Sequence, residues 1–385
     1  MHDARLVMPG NRSETRPPAR RKRWPAAALA AITAAGLAAA VAPSAGARTT
    51  PTFTQTNLVA SNSSYGAKLV DPNLTNAWGL AAGPGTPIWV SDHNSGKASV
   101  YSGGVNGGSV SLDLTVPVPG GNPTGQVFNS TTSFPVGGTS GSPAVFIVDS
   151  DAIGSTVSGE IEAWNGGSTF VVEDSPTGGP GGKTPAGAIF KGLALTTPTA
   201  GPELLATDVH NARVDVFNHN FNPVRTLTAF KDPGIPSGYT PYGIQNLGGK
   251  IYVTYGKQNA TKTDVMPGPG LGFVDVYSRT GKLLHHLVSN GPLNAPWGLA
   301  IGPSNFGTFA GALLVGNLGN GWINAFNPTT GAYLGALYTS TGPVVISGLW
   351  GLRAGSSAFG GKGTLVFSAG PNGYADGLLG TLTPH

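Results

Sequence analysis

The sequence predicts an all-β chain folded as a six-bladed β-propeller with four antiparallel strands per blade. Three observations predict it. Six apolar segments led by Gly79, Gly125, Gly192, Gly243, Gly298 and Gly351 recur at intervals of 46 to 67 residues. Each is followed by a second strand-like run, ending in Asp or Asn in four of the repeats, and a third ending in an aromatic residue. Beyond residue 50 no stretch longer than a few residues has helical periodicity. A repeat of this length built from strands alone cannot bury both faces of its own sheet, so neighbouring sheets must cover one another, and radial stacking achieves this. The 60 glycines and 32 prolines punctuate runs such as Ile251-Tyr252-Val253-Thr254-Tyr255 and therefore read as turns between buried strands.

A segment of different composition precedes the repeats. Arg16, Arg20, Arg21, Lys22 and Arg23 form a basic n-region, residues 26–42 an Ala-rich apolar region, and Ala45-Gly46-Ala47 a small-residue cleavage pattern. Residues 1–47 are thus expected to be an export signal peptide, and residues 48–385 a single propeller domain. The alanine content and Gly36 disfavour a membrane span, and Arg20-Arg21 loosely fits a twin-arginine signal. The expected location is secreted, either extracellular or periplasmic.

Charge and cysteine content narrow the function classes. Residues 1–47 hold seven of the 22 basic and two of the 18 acidic residues, leaving 15 against 16 and a net charge of −1. Such a surface gives no counterion-release drive toward nucleic acid. The absence of cysteine excludes disulfides, thiolate chemistry and a lipid-anchor cysteine. The expectation is a monomer with no nucleic-acid partner and no membrane anchor.

The strands can be placed in order, lettered A to D from the channel outwards. Strand A reads Trp78-Gly79-Leu80-Ala81, Thr124-Gly125-Gln126-Val127, Lys191-Gly192-Leu193-Ala194, Tyr242-Gly243-Ile244, Trp297-Gly298-Leu299-Ala300 and Trp350-Gly351-Leu352. Small residues are expected where six strands crowd one axis. Strands B and C share a nine-residue register: Asp92 to Tyr101, Asp208 to Phe217, Asn317 to Phe326. Blades 2 and 4 keep the end of this pattern, at 160–164 and 273–277, after inserted loops at 149–159 and 256–272. The last blade ends one strand short, and the orphan segment 53–59 is predicted to supply it, closing the ring and removing an open edge.

On these residues the chain resembles the NHL-like six-bladed propellers. Within them it is similar to an uncharacterised family of secreted bacterial proteins that carry Asp-Pro-Asn-Leu…Trp-Gly near the start, here Asp71-Pro72-Asn73-Leu74 and Trp78-Gly79. Two further segments match, Asn122-Pro123-Thr124-Gly125-Gln126-Val127-Phe128-Asn129 and Asn294-Ala295-Pro296-Trp297-Gly298-Leu299. The resemblance covers 53–383 and implies the fold. It implies no reaction, since propellers include metal-dependent lactonases and lyases as well as proteins that only bind.

In a propeller the B–C and D–A loops share one face. The B strands are expected to end at Asp92, Asp149, Asp208, Tyr255, Asn317 and Ala369. Oxygen ligands from Asp92, Asp149, Asp208 and Asn317 could hold Ca²⁺ or another divalent cation, although Asp and Asn at strand ends ordinarily cap the following turn. Asp149, Asp151, Gly154 and Glu160 fall at positions 1, 3, 6 and 12 of a calcium-loop pattern, with Ile153 where an oxygen is needed at position 5. Trp78, Tyr242, Trp297 and Trp350 would surround the channel mouth with Tyr255, as a face for a sugar or apolar ligand or as packing between blades. His93 and His210 are the candidate general bases, whereas His285-His286 falls on an outer strand. The motif at 178–184 lacks the first glycine of a phosphate loop and reads as a linker. Two functions fit: a scaffold binding a small molecule, glycan or protein on the loop face, or a metal-dependent hydrolase or lactonase with a carboxylate-held cation.

Overall fold

The computed structural model describes residues 51–151, 159–174, 187–224 and 229–385. The expected signal peptide, the 178–184 linker and residues 152–158 of the acidic loop lie outside them. The described chain is all-β, with four short 3-10 turns as its helical content. Six antiparallel sheets form a six-bladed propeller. Blade 1 consists of Ala77–Ala81, Ile88–Asp92, Lys97–Gly103 and Val110–Pro117; blade 2 of Pro123–Phe128, Phe146–Ser150, Ile161–Trp164 and Val171–Asp174. Blade 3 follows with Phe190–Thr196, Glu203–Asp208, Arg213–Phe217 and Pro223–Val224, and blade 5 has Pro296–Ile301, Leu313–Asn317, Ile323–Phe326 and Tyr333–Ala336. In blade 4, strands Tyr239–Leu247, Lys250–Gln258, Phe273–Tyr277 and Leu283–Ser289 carry an extra ribbon. The insertion folds back as Val265–Met266, which pairs with the extended end of strand B at Lys257 and Gln258.

The leading glycines follow from the close approach of the innermost strands. A methyl group on Gly79 would overlap the Thr124 carbonyl of the next blade, one on Gly125 the Leu193 amide, and one on Gly298 the Trp350 carbonyl. Backbone lies against backbone around the ring, and only glycine leaves room. The aromatic that ends strand C fills the complementary space farther out: Tyr101, Phe217, Tyr277 and Phe326 are buried in the clusters between sheets.

Hydroxyls stitch one blade to the next. Thr207 Oγ1 donates to the Tyr242 carbonyl at 2.7 Å, Thr254 Oγ1 to the Pro296 carbonyl at 2.7 Å, and Ser368 Oγ to the Trp78 carbonyl at 2.5 Å. Each stands one residue before the strand-B residue that pairs two positions ahead of its own blade's leading glycine, namely Asp208, Tyr255 and Ala369. The pairings Ala77↔Asp92, Phe190↔Asp208 and Pro296↔Asn317 correspond in blade 2 to Pro123↔Ser150. The expected register is therefore corrected by one residue. Asp149 occupies the hydroxyl position, and its side chain faces the interface with blade 3, not the loop face.

The last blade contains Leu349–Ala354, Leu365–Ala369 and Leu378–Pro384, and its fourth strand is Phe53–Ala60 from the start of the described chain. It pairs antiparallel from Phe53↔Pro384 to Ala60↔Leu378. Phe53 is buried against Phe306 and Phe309 of blade 5, at centroid distances of 4.8 and 6.2 Å. Leu58 and Val59 join the cluster between blades 6 and 1. The strand is thus a fourth sheet member and a wedge on both sides. Deleting residues 52–59 is expected to lower the melting temperature by about 10 °C or more, or to prevent folding, because it removes several buried side chains together with one complete ladder. Differential scanning calorimetry checks this, and an unchanged melting temperature would refute the closure.

Candidate functional site

The residue preceding each strand-A glycine stands where the six innermost strands converge on the loop face. Around the ring these residues are Trp78, Thr124, Lys191, Tyr242, Trp297 and Trp350. Trp78 and Trp350 stack at 3.4 Å between ring centroids, and Trp297 meets both edge-on at 5.7 and 5.9 Å. Tyr242 approaches Trp350 edge-on at 6.2 Å. The four rings are at most 6% exposed. They form an aromatic plug below the face, with their surfaces spent on one another. Tyr255 is elsewhere, in the core beside Phe273, with its hydroxyl 2.6 Å from that of Tyr277.

Lys191 breaks this ring. Its side chain is 2% exposed and its Nζ sits 5.2 Å from the centre of the Trp78 ring, a cation–π contact. Two carboxylates reach it from opposite insertions. Asp151, at the start of the acidic loop of blade 2, places Oδ2 2.6 Å from Nζ; Asp264, from the inserted ribbon of blade 4, places Oδ2 at 3.5 Å. Asp264 is oriented by the Tyr242 hydroxyl, which donates to Oδ1 at 2.9 Å, and by the Val265 amide at 2.8 Å. The Lys191 carbonyl accepts from Trp297 Nε1 at 3.0 Å. His93 stacks on Trp78 at 5.3 Å, and its Nε2 lies 3.6 Å from Asp151 Oδ2.

The electrostatics follow from this geometry. Burial alone would lower the Lys191 ammonium, but the charges of Asp264 and Asp151 more than offset it and hold its pKa above the usual value. Burial pushes the Asp151 carboxyl up, and the Lys191 charge with the His93 contact outweighs this, leaving it below the usual range. Lys191 is therefore an ammonium at neutral pH and acts as a charge and a donor. It is not a free amine nucleophile. One cation faces two carboxylates, so the mouth carries a net negative charge before His93 is counted. Trp78 Nε1, also buried here, has no acceptor among the described residues.

The remaining candidates are spent locally. Asp92 Oδ2 accepts from Ser99 Oγ at 2.5 Å. Asp208 accepts from the Ile189 and Asn211 amides at 3.2 and 3.1 Å, and Asn317 bridges the Asn294 amide and the Pro292 carbonyl at 3.2 and 2.8 Å. Asp149 accepts from Thr124 Oγ1 at 2.9 Å, while the Glu160 amide donates to Ser150 Oγ at 3.0 Å. His210 offers its carbonyl to Gln258 Nε2 at 3.2 Å and is not brought to His93. Asp92, Asp149 and Asp208 do not converge on a point, nor do Asp149, Asp151 and Glu160. Among the described residues one group has metal-ligand spacing: Asp232, Asp275 and His286 on blade 4. His286 Nδ1 lies 2.6 Å from Asp232 Oδ2 and 2.9 Å from Asp275 Oδ1. Burial and the neighbouring Asp232 charge push the Asp275 carboxyl up to about 7.

Asp151, His93 and the aromatic positions were accessible from the sequence, but Lys191 and Asp264 were missed as site residues. The signal for Lys191 was present, as a lysine in a column otherwise occupied by aromatics and one threonine. The Asp71-Pro72-Asn73-Leu74 motif also has a structural account. Asp71 caps the Asn73 amide at 2.9 Å and accepts the Tyr101 hydroxyl at 2.8 Å, so Asp-Pro-Asn-Leu locks the loop entering blade 1.

No protein-family model matches the chain. Two uncharacterized proteins of Acanthamoeba polyphaga mimivirus are each 29% identical to it. One match spans 352 residues, 88% of this chain and 82% of the relative; the other spans 333 residues, 85% and 84%. These relatives are viral, whereas the sequence resemblance pointed to bacterial proteins. Among solved structures, the Penicillium chrysogenum alpha-L-arabinanase complexed with arabinobiose superposes with a TM-score of 0.54 at 13% identity, over 87% of this chain and 98% of that one. The soluble aldose sugar dehydrogenase of Escherichia coli gives 0.51 at 12% identity, over 87% and 100%. Likeness at that identity establishes the propeller fold alone.

Removing the Lys191 charge leaves two carboxylates over an aromatic plug. Lys191→Met is expected to cost about 3 kcal/mol, the low end for breaking a buried pair because both carboxylates keep some access to water. Adding Asp151→Asn should recover part of that loss in a double-mutant cycle; additive losses by urea denaturation would show that the pair is not coupled.

A second expectation concerns pH. Burial pushes the carboxyls of Asp149 and Glu162 up to about 7 and about 8. The folded protein then holds protons that the unfolded chain releases above about pH 4, so these two groups make stability fall as pH rises from about 5 to about 8. The slope is about 1.4 kcal/mol per pH unit for each such group. Asp149→Asn, which keeps an acceptor for Thr124, should flatten the melting-temperature profile across that window. A wild-type profile that is flat or rising would contradict the assignment.

Proposed function

We propose that the protein is an exported, NHL-like binding propeller that receives a small polar ligand on the B–C and D–A loop face above Lys191. The observation that carries this reading is the convergence of the blade 2 and blade 4 insertions, through Asp151 and Asp264, on the one lysine that interrupts the aromatic ring. Rigid scaffolds place function on such loops. A salt-bridged lysine, a histidine and the unused Trp78 Nε1 donor offer hydrogen bonds of both polarities, and the net negative mouth favours a cationic or polyhydroxylated ligand over an anion. Export by residues 1–47 and a monomeric state belong to the same proposal. Among the described residues no helix is long and apolar enough to cross a membrane.

Asp92, Asp149 and Asp208 each accept a hydrogen bond from their own neighbourhood, which favours the binding reading over a carboxylate-held catalytic cation in the channel. The Asp232–Asp275–His286 group joins the loop that enters blade 4 to the two outer strands of that blade. A cation there would brace the blade.

Ligand-observed NMR with a panel of monosaccharides and small amines tests the reading. Binders are expected to lose at least tenfold in affinity in Asp264→Asn and in His93→Ala, both at partly exposed positions where folding should persist. Binders unaffected by both substitutions would place recognition elsewhere and overturn the proposal.

A further inference from the structure

The channel's other mouth, on the face of the A–B turns, is open. Between the two mouths the channel is closed down by Gly79, Gly125, Leu193, Ile244 and Leu299, leaving about 10 Å³ for the centre of a water-sized sphere. Beyond this constriction the ends of the innermost strands of all six blades border a bowl with two adjoining lobes of about 350 and 360 Å³. That is the lower end of the range for small-molecule sites. Its wall mixes aliphatic side chains, Leu80, Val127, Leu195 and Leu247 among others, with polar groups that include Gln126, Gln245, Asn246, Ser130 and Thr197.

Arg353 borders both lobes and is the one charged side chain among the residues that line them. Its Nη2 donates to the Ala82 carbonyl of blade 1 at 2.7 Å, which fixes the guanidinium across the blade 6–blade 1 seam. No described carboxylate pairs with it. Partial burial lowers its pKa, and no charge of a described residue offsets the effect. Ala82 is the one acceptor that the described residues offer its guanidinium, so the remaining donors are left for solvent or a ligand in the bowl.

We propose that this bowl binds a small organic carboxylate, with Arg353 holding the carboxylate and the aliphatic side chains of Leu80, Leu195 and Leu247 covering an apolar body. A single guanidinium matches one carboxylate in charge and planar geometry. A compact, strongly hydrated phosphate would find only one cation to offset its charge. The site lies on the face opposite Lys191 and does not depend on what binds there.

Hexanoate is the probe, compared by calorimetry with hexan-1-ol and inorganic phosphate on the intact protein. Saturable hexanoate binding is expected, at least tenfold tighter than either comparison compound and at least tenfold weaker in Arg353→Gln. Because that substitution could loosen the seam with Ala82, the Arg353 Nε–Hε NMR resonance of the wild-type protein provides a second readout and should shift in step with saturation. Absent hexanoate binding, tighter binding of hexanol or phosphate, a folded Arg353→Gln variant of undiminished affinity, or an unmoved Arg353 resonance would each overturn the proposal.

Discussion

The structure depends on how closely six innermost strands can approach one axis. Glycine at the head of each strand lets backbone meet backbone, and a side chain there would overlap the next blade's carbonyl or amide. From that contact follow the hydroxyl at the end of strand B, which bonds the next blade's carbonyl, and the aromatic at the end of strand C, which fills the space that opens farther out. Small inside and large outside is the packing taper of a radial array. The terminal strand 53–60 obeys the same constraint, since an unpaired last blade would leave both a sheet edge and an interface uncovered.

Regularity and function separate along the same lines. Residues that recur at equivalent positions serve the scaffold: Asp208 and Asn317 cap loops, Thr254 and Ser368 join blades, Asp71 locks an entry loop. Departures from the repeat gather at the channel. Lys191 replaces an aromatic, and the two longest interruptions of the B–C pattern supply the carboxylates that hold it. A buried ammonium is tolerable only with such partners. The lysine and the insertions therefore require one another, although they come from three separate parts of the chain.

The two mouths differ in physical character. The loop-face mouth is plugged by stacked tryptophans and carries a compensated charge cluster, whereas the opposite mouth is an open bowl of mixed polar and aliphatic lining whose one cation, Arg353, has no counter-charge among the described residues. Between them the channel narrows to about 10 Å³, so the two mouths are distinct surfaces.

The sequence by itself determined the blade count, the strand order and the strand that closes the ring. These rest on period and alternation, which are local properties of a chain. It also located the acidic loop and the blade 4 insertion as departures. It missed the one-residue shift at Asp149, because Asp92 and Asp208 end strand B in blades 1 and 3 and residue type alone does not show that Ser150 takes that place in blade 2. Only the tertiary structure decided that Asp151 and Asp264, 113 positions apart in sequence, meet on Lys191, that the tryptophans face one another, and that Arg353 is without a counter-charge. Each of these depends on distances between blades set by ring closure, and no local pattern encodes such distances.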